Sequence, residues 1–358
     1  MAAHPRILFD SYEHNYIGKI IQMDELRVLT LPNGVEIEFQ QIIALAGDFY
    51  GVPKQPIIDP SKGQDEEDSG RQQRFGDAYN TLARAPKDEL MEELDKLLAT
   101  LEKESENGKT IDAKTWDEIT GGKWLGPLPV KEGRMLQLAE NNHDHFLPHA
   151  KDAYLTGHQL AIDKAREAGY YRGGDEDERK RLLHEAFSLD AFACHFLTDS
   201  FASGHIRTPR VELGNGTTST KVGNLLCKYM HDEDNKYGLR VTNKRGDKWI
   251  AYGDGRLLHE ESRDNLKIVA DTVQKSVDQV YDAYTNPSKT LDHAVVTDLI
   301  PFVDQDERNN SPLFQVKDGE LHRRSDIKDL QDKETVTNWW GPTTVVMLQV
   351  YNPKNPAI

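Results

Sequence analysis

His195 and Asp199 stand four positions apart in ACHFLTDSFASGHIRTPR (193–210), and His205 comes six positions later, just past Gly204. Residues four apart on a helix project from one face, so an imidazole and a carboxylate at that spacing can reach one cation. A helix ending at Gly204 turns His205 back toward the same place. A lone H-x3-D pair is expected by chance, so its neighbours decide its weight. Eight of the 13 histidines (His143, His145, His149, His158, His184, His195, His205 and His231) fall between positions 143 and 231, and Asp48 comes just after the short apolar run IIALA. Asp48, His145, His195, Asp199, His205 and His231 thus make an ordered N/O ligand set, suited to zinc and open to manganese or iron.

These side chains need helices to hold them. PKDELMEELDKLLATLEK (86–103) places Leu90, Leu94, Leu97 and Leu101 at helical spacing. Further helices are expected over about 133–168, 179–204, 222–235 and 257–285, broken by Gly173-Gly174, the acidic run DEDERKR and the loop LGNGTTST. Pro32-Asn33-Gly34 inside ELRVLTLPNGVEIEFQ predicts a hairpin, as does 239–256. Beyond Pro301 the pattern becomes short, strand-like and punctuated by Pro and Gly. The expectation is a mainly α fold with short β-hairpins, a helical domain over 1–300 and a β-rich extension over 301–358.

Composition narrows the chemistry. The 358 residues carry 44 Lys and Arg against 60 Asp and Glu, a formal charge of −16. Such a surface repels a long polyanion, which argues against stable nucleic-acid binding. Two cysteines cannot form a disulfide framework, so packing or metal must hold the fold. MAAHPRILFD at the start lacks the apolar stretch of a classical secretory signal, and no apolar run is long enough to span a bilayer, leaving the compartment undetermined.

ALAGDFYG (44–51), AENNHDHF (139–146), AFACHFLTDSFASGHIRTPR (191–210) and MHDEDNKYGLRVTNKRGDKW (230–249) give the sequence over roughly 40–285 a resemblance to the zinc-dependent phospholipases C of bacterial type, which share an all-helical fold with single-strand-specific zinc nucleases. The resemblance implies two or three Zn2+ ions. Asp48, His145, His195 and Asp199 would hold one, with Asp199 bridging toward a second and Asp48 also serving as a general base. His205 and His231 would hold another together with a carboxylate placed shortly after His231. The family pattern places that acid four residues on, where this chain has Asn235; Asp234 is the preferred substitute, with the Asn235 oxygen and Glu233 as alternatives. The family's N-terminal tryptophan ligand has no counterpart, while His14 in SYEHNYIG is positioned to supply the accompanying histidine.

The implied activity is cleavage of the glycerol-side phosphodiester of phospholipids such as phosphatidylcholine, at a membrane or micelle surface, to diacylglycerol and a phosphorylated head group. A nuclease or phosphomonoesterase on the same fold, or a non-catalytic metal-stabilised protein, are the alternatives. His149 is read as lying beside the ligands or exposed, His143 and His158 as packed or solvent-facing, and Cys194 and Cys227 as buried thiols. Arg207 and Arg210 either clamp a phosphate or pair with acids. Trp339-Trp340 is either core or a membrane-interface contact.

Overall fold

In the computed structural model the described residues are 11–351, except 24–25, 64–65, 108–110, 218, 254 and 340. Trp340 therefore lies outside them. The fold is mainly α, with small antiparallel sheets of two or three strands.

The N-terminal part runs α1 (Ser11–Ile20), β1 (Val28–Thr30), β2 (Glu36–Glu38) and α2 (Phe39–Leu45). β1 and β2 form the hairpin that Pro32-Asn33-Gly34 predicts, with Leu29 opposite Ile37 and both buried. α2 buries Phe39, Ile42, Ile43 and Leu45. Next come α3 (Asp68–Ala83), α4 (Lys87–Asn107) and α5 (Ala113–Ile119), and α4 turns Leu90, Leu94, Leu97 and Leu101 inward on the expected stripe. A second hairpin, β3 (Lys123–Leu125) and β4 (Leu128–Lys131), leads into α6 (Arg134–Ala139).

The centre of the molecule is the pair α7 (His149–Tyr170) and α8 (Glu176–Asp199). From Leu182 to Asp199 every residue of α8 is buried, because α2, α7 and later α12 cover its sides. Polar side chains on this stretch must find partners inside the protein. The region expected as one helix over 133–168 is divided into α6, a 3-10 turn at His143–His145, and α7. The stretch expected over 179–204 likewise stops at Asp199 and restarts as α9 (Ser203–Ile206). Both interruptions fall at proposed ligands.

The chain continues through α10 (Arg210–Asn215), α11 (Thr220–Tyr237), the hairpin β5 (Leu239–Thr242) and β6 (Lys248–Ala251), and α12 (Arg263–Thr285). α12 buries Val269, Val273, Val277 and Val280. After α13 (Ala294–Thr297), β7 (Phe302–Val303) joins the β5–β6 sheet. β8 (Phe314–Lys317), β9 (Glu320–Arg324) and β10 (Thr335–Val336) form the β-rich part of the extension. The final segment is α14 (Gly341–Tyr351), a helix where the sequence pattern reads as strand-like. Its β-branched residues favour strand, but Thr344, Val345 and Leu348 are buried at helical spacing and the helix packs on α11. Leu313, Phe314, Ile327, Val345 and Leu348 share a core with Leu213, Leu226, Met230 and Phe146, so the extension is packed into the helical body.

Candidate metal centre

Two helices, a 3-10 turn and one further turn converge on one buried point. α8 supplies His195 and Asp199, the 3-10 turn His145, α1 His14, and the turn after α2 Asp48. All five side chains are buried. The turn works only with glycine: Gly47 has φ +73°, and a Cβ there would lie 2.8 Å from both His145 Cε1 and His195 Cδ2.

His195 Nδ1 donates to the Ile43 carbonyl oxygen at 2.8 Å, which aims Nε2 into the centre. That nitrogen lies 3.4 Å from Asp48 Oδ1, 3.4 Å from Asp199 Oδ2 and 3.2 Å from His145 Nδ1. His145 Nδ1 lies 3.7 Å from Asp48 Oδ1 and 2.7 Å from Asp199 Oδ2. Four ligands bound tetrahedrally at zinc-like bond lengths stand about 3.3 Å apart, which is the scale of these separations. His14 extends the set, its Nε2 lying 3.6 Å from Asp199 Oδ1. The Thr198 hydroxyl donates to the Cys194 and His195 carbonyl oxygens, so it must accept from His14 Nδ1 at 2.7 Å, which leaves a nitrogen lone pair on the Asp199 side.

Both Asp48 oxygens and Asp199 Oδ1 are buried without a hydrogen bond. Carboxylates in that condition, faced by imidazole nitrogens, need positive charge. Part of it comes from His145: burial opposes its charge, but Asp199, Asp48 and Asp144 outweigh burial and raise its pKa to about 9. His14 is driven the other way, well below the ordinary histidine value, by burial first and then by His195, His205 and His145. Two groups, His14–His195–Asp199 and Asp48–His145–His195, each bring three donor atoms within 4.8 Å of one another and could hold a metal ion. His195 is common to both.

His205 and His231 sit beside this centre, and neither belongs to either three-residue group. Their ring centroids are 5.1 Å apart, and Phe146 stacks on His205 at 4.5 Å. His205 Nδ1 donates to the His145 carbonyl oxygen at 2.8 Å and lies 3.4 Å from Asp199 Oδ1, while Nε2 is buried without a hydrogen bond. Burial, then His231 and His145, holds its pKa well below the ordinary value. Gly204 lets α9 approach α11, since a Cβ there would meet His231 Cδ2 at 2.4 Å.

Neither Asp234 nor Glu233, the acids expected after His231, turns its carboxylate to it. The carboxylate of Asp234 is held by Arg207 through two bonds of 2.6 and 2.9 Å, and that of Glu233 by Arg324 through two of 2.8 Å. Asn235 Oδ1 accepts from Gly204 N at 2.6 Å and Ser203 Oγ at 3.1 Å, which turns its amide nitrogen toward His231 Nε2 at 3.1 Å. Asp234, the substitute ligand expected from the sequence, is here the ion-pair partner of Arg207. Asp232, which sequence reasoning misses, contacts His231 Nδ1 at 3.2 Å. Adjacency in sequence is its only signal.

The remaining residues find other roles. Arg207 pairs with an acid, whereas Arg210 is buried and donates to Asn142, Asn224 and the Ala139 and Glu140 carbonyls, so each guanidinium is engaged within the protein. His158 is fully buried, with Nδ1 2.7 Å from Asp190 Oδ1 and Nε2 2.9 Å from Gln279 Oε1. His143 is buried too, and His149 is half-buried outside the cluster. Cys194 and Cys227 are buried free thiols. Trp339 packs on Phe314 and donates to the Leu321 carbonyl.

A small pocket of about 30 Å³ lies beside the centre, lined by Gly47, Tyr50, Leu138, His145, Phe192 and Phe196 among others. No family model, curated protein or solved structure matches the chain.

Proposed function

We propose that the protein is a zinc-dependent phosphoric diester hydrolase acting on phospholipids, cleaving the glycerol-side ester to give diacylglycerol and a phosphorylated head group. The observation that carries the reading is Asp48: a buried carboxylate without hydrogen bonds, facing His145 and His195 at ligand-like separations, on the turn that begins the wall of the pocket. Divalent ions bound by Asp48, His145, His195, Asp199 and His14 would supply Lewis acidity and positive charge for a phosphoryl group.

The protein's own side chains would do the rest. Asp48 accepts a proton from the attacking water at a carboxylate oxygen, as a general base held by the Gly47 turn. The water oxygen forms the new bond to phosphorus, the glycerol oxygen leaves, and that oxygen takes up a proton. Phe192, Phe196 and Leu138 give the small pocket beside His145 an apolar wall. The acidic exterior disfavours a long nucleic acid and leaves a single phosphodiester compatible.

The test is hydrolysis of a short-chain phosphatidylcholine, single-stranded DNA and a phosphomonoester, each with and without chelator, alongside elemental analysis of the protein. Chelator-sensitive turnover of the phosphatidylcholine alone supports the reading. Turnover of DNA alone makes the protein a nuclease, and bound metal without turnover of any substrate makes the ions structural.

A further inference from the structure

The hairpin of β3 and β4 exposes a large apolar surface. Leu125 is 74% exposed, Leu128 51% and Val130 71%, while the opposite face turns Trp124 inward, its indole N–H donating to Asp117 at 2.8 Å. Leu125 pairs with Leu128 across the tip, and Lys123 pairs with Lys131 at the base. Residues 123–131, KWLGPLPVK, hold two lysines and no acid, in a chain whose formal charge is −16. A clustered apolar tip in water is unfavourable unless something covers it. A cationic collar on an otherwise acidic protein says what that something is: an apolar layer bounded by negative charge.

We propose that this hairpin is a lipid-docking element, with Leu125, Leu128 and Val130 entering the interfacial layer of a bilayer while Lys123 and Lys131 meet its phosphate head groups. Its inner end is fixed to the body, because Asp117 accepts from both Trp124 and Gly133 N, the latter at 2.8 Å. From Gly133 the chain runs through α6 to Leu138, Asn141 and Asn142, which line the pocket beside His145. Docking at the tip therefore places the lipid surface on the element that builds the pocket wall. Lipid docking deepens the phospholipase reading without depending on it, because binding needs no turnover.

The test is co-sedimentation of the full chain with phosphatidylcholine vesicles, with and without added phosphatidylserine. The wild type is expected to bind, and more tightly where phosphatidylserine is present. Leu125→Asp/Val130→Asp should weaken binding about ten-fold or more, and Lys123→Glu/Lys131→Glu should abolish the preference for phosphatidylserine. Both variants should keep the wild-type circular dichroism melt, since these side chains are exposed. A third variant, Val346→Asp/Val350→Asp, changes comparably exposed residues of α14 and should bind as the wild type does.

Absence of binding by the wild type, wild-type binding by the Leu125→Asp/Val130→Asp variant, or an equal loss in the α14 variant overturns the proposal. So does a wild-type dimer that Leu125→Asp/Val130→Asp converts to monomer, which makes the tip a protein interface. Hydrolysis of a soluble short-chain phosphatidylcholine is read in parallel and should be unchanged in the hairpin variants. If no form hydrolyses it while vesicle binding shows the expected pattern, the catalytic reading falls and the docking stands.

Discussion

Glu233 and Arg324 form a two-bond ion pair, both bonds 2.8 Å, at almost complete burial, 91 residues apart in the chain. Tyr351 of α14 donates a further 2.9 Å hydrogen bond to the same carboxylate. The pair ties β9 to α11, two residues past His231. Removing one partner strands a buried charge, so Arg324→Ala is expected to cost about 3–5 kcal/mol. Urea unfolding checks this, and Glu233→Leu/Arg324→Met should recover much of the loss. An Arg324→Ala protein with wild-type stability would show that the extension contributes little to the body.

Gly47 makes a different prediction, because it supplies no donor atom. Gly47→Ala combines a strained φ with contacts of 2.8 Å to both His145 and His195, and is expected to weaken metal binding about 10–100-fold. Elemental analysis should show it losing metal much as His195→Ala does. Undiminished metal in Gly47→Ala would mean that the two imidazoles do not need their present positions.

Asp234→Asn separates the two roles considered for that residue. Its carboxylate is spent on Arg207, so metal content should stay at the wild-type value, whereas Asp48→Asn should lower it. A fall in metal with Asp234→Asn would return Asp234 to the ligand set.

His158→Ala serves as a control for the centre, though not for stability. It leaves Asp190 and Gln279 without their buried partner and should destabilise by about 1–3 kcal/mol. Metal content should be unaffected.

Stability of the metal-free protein should peak near neutrality. His145 has a folded pKa raised to about 9, so its contribution is fully present below its unfolded value, near 6.5, and is lost as pH rises through 9. His14 and His205, with lowered values, have the opposite sign: their neutral forms suit the fold, and stability is lost as pH falls below about 6.5. Thermal melts from pH 5 to 10 would show this dome. Ligation requires His145 to give up its proton, so zinc added at pH 8 should release protons into weakly buffered solution and flatten the alkaline side. An alkaline limb unchanged by zinc would place the ion elsewhere.

Much of the helical body is legible in the sequence because its signals are local. The leucine stripe of α4 and the Pro32-Asn33-Gly34 turn arise from nearest neighbours, as does the shared helix face of His195 and Asp199. The orientations of the side chains around His231 have no such local origin. Residues three and four positions on from a helical histidine are equally close to its face, and Arg207, Ser203 and Gly204, contributed from outside α11, decide where Asp234 and Asn235 turn. Arg324 decides the same for Glu233 from still farther along the chain. The helical state of α14 is hidden for a similar reason, since its β-branched residues are settled by packing on α11.

The donor atoms of the centre come from positions 14, 48, 145, 195 and 199, carried by elements separated by most of the helical body. A chain leaving the ribosome holds neither three-residue group until α8 is complete. An ion captured there therefore cannot seed folding as it does in a zinc finger, whose ligands are close in sequence. It would arrive after α1, α2 and α8 have found one another, as a seal on a finished assembly. Metal uptake would then be a clock for the last stage of folding, and is expected to slow in a variant that delays the docking of α1.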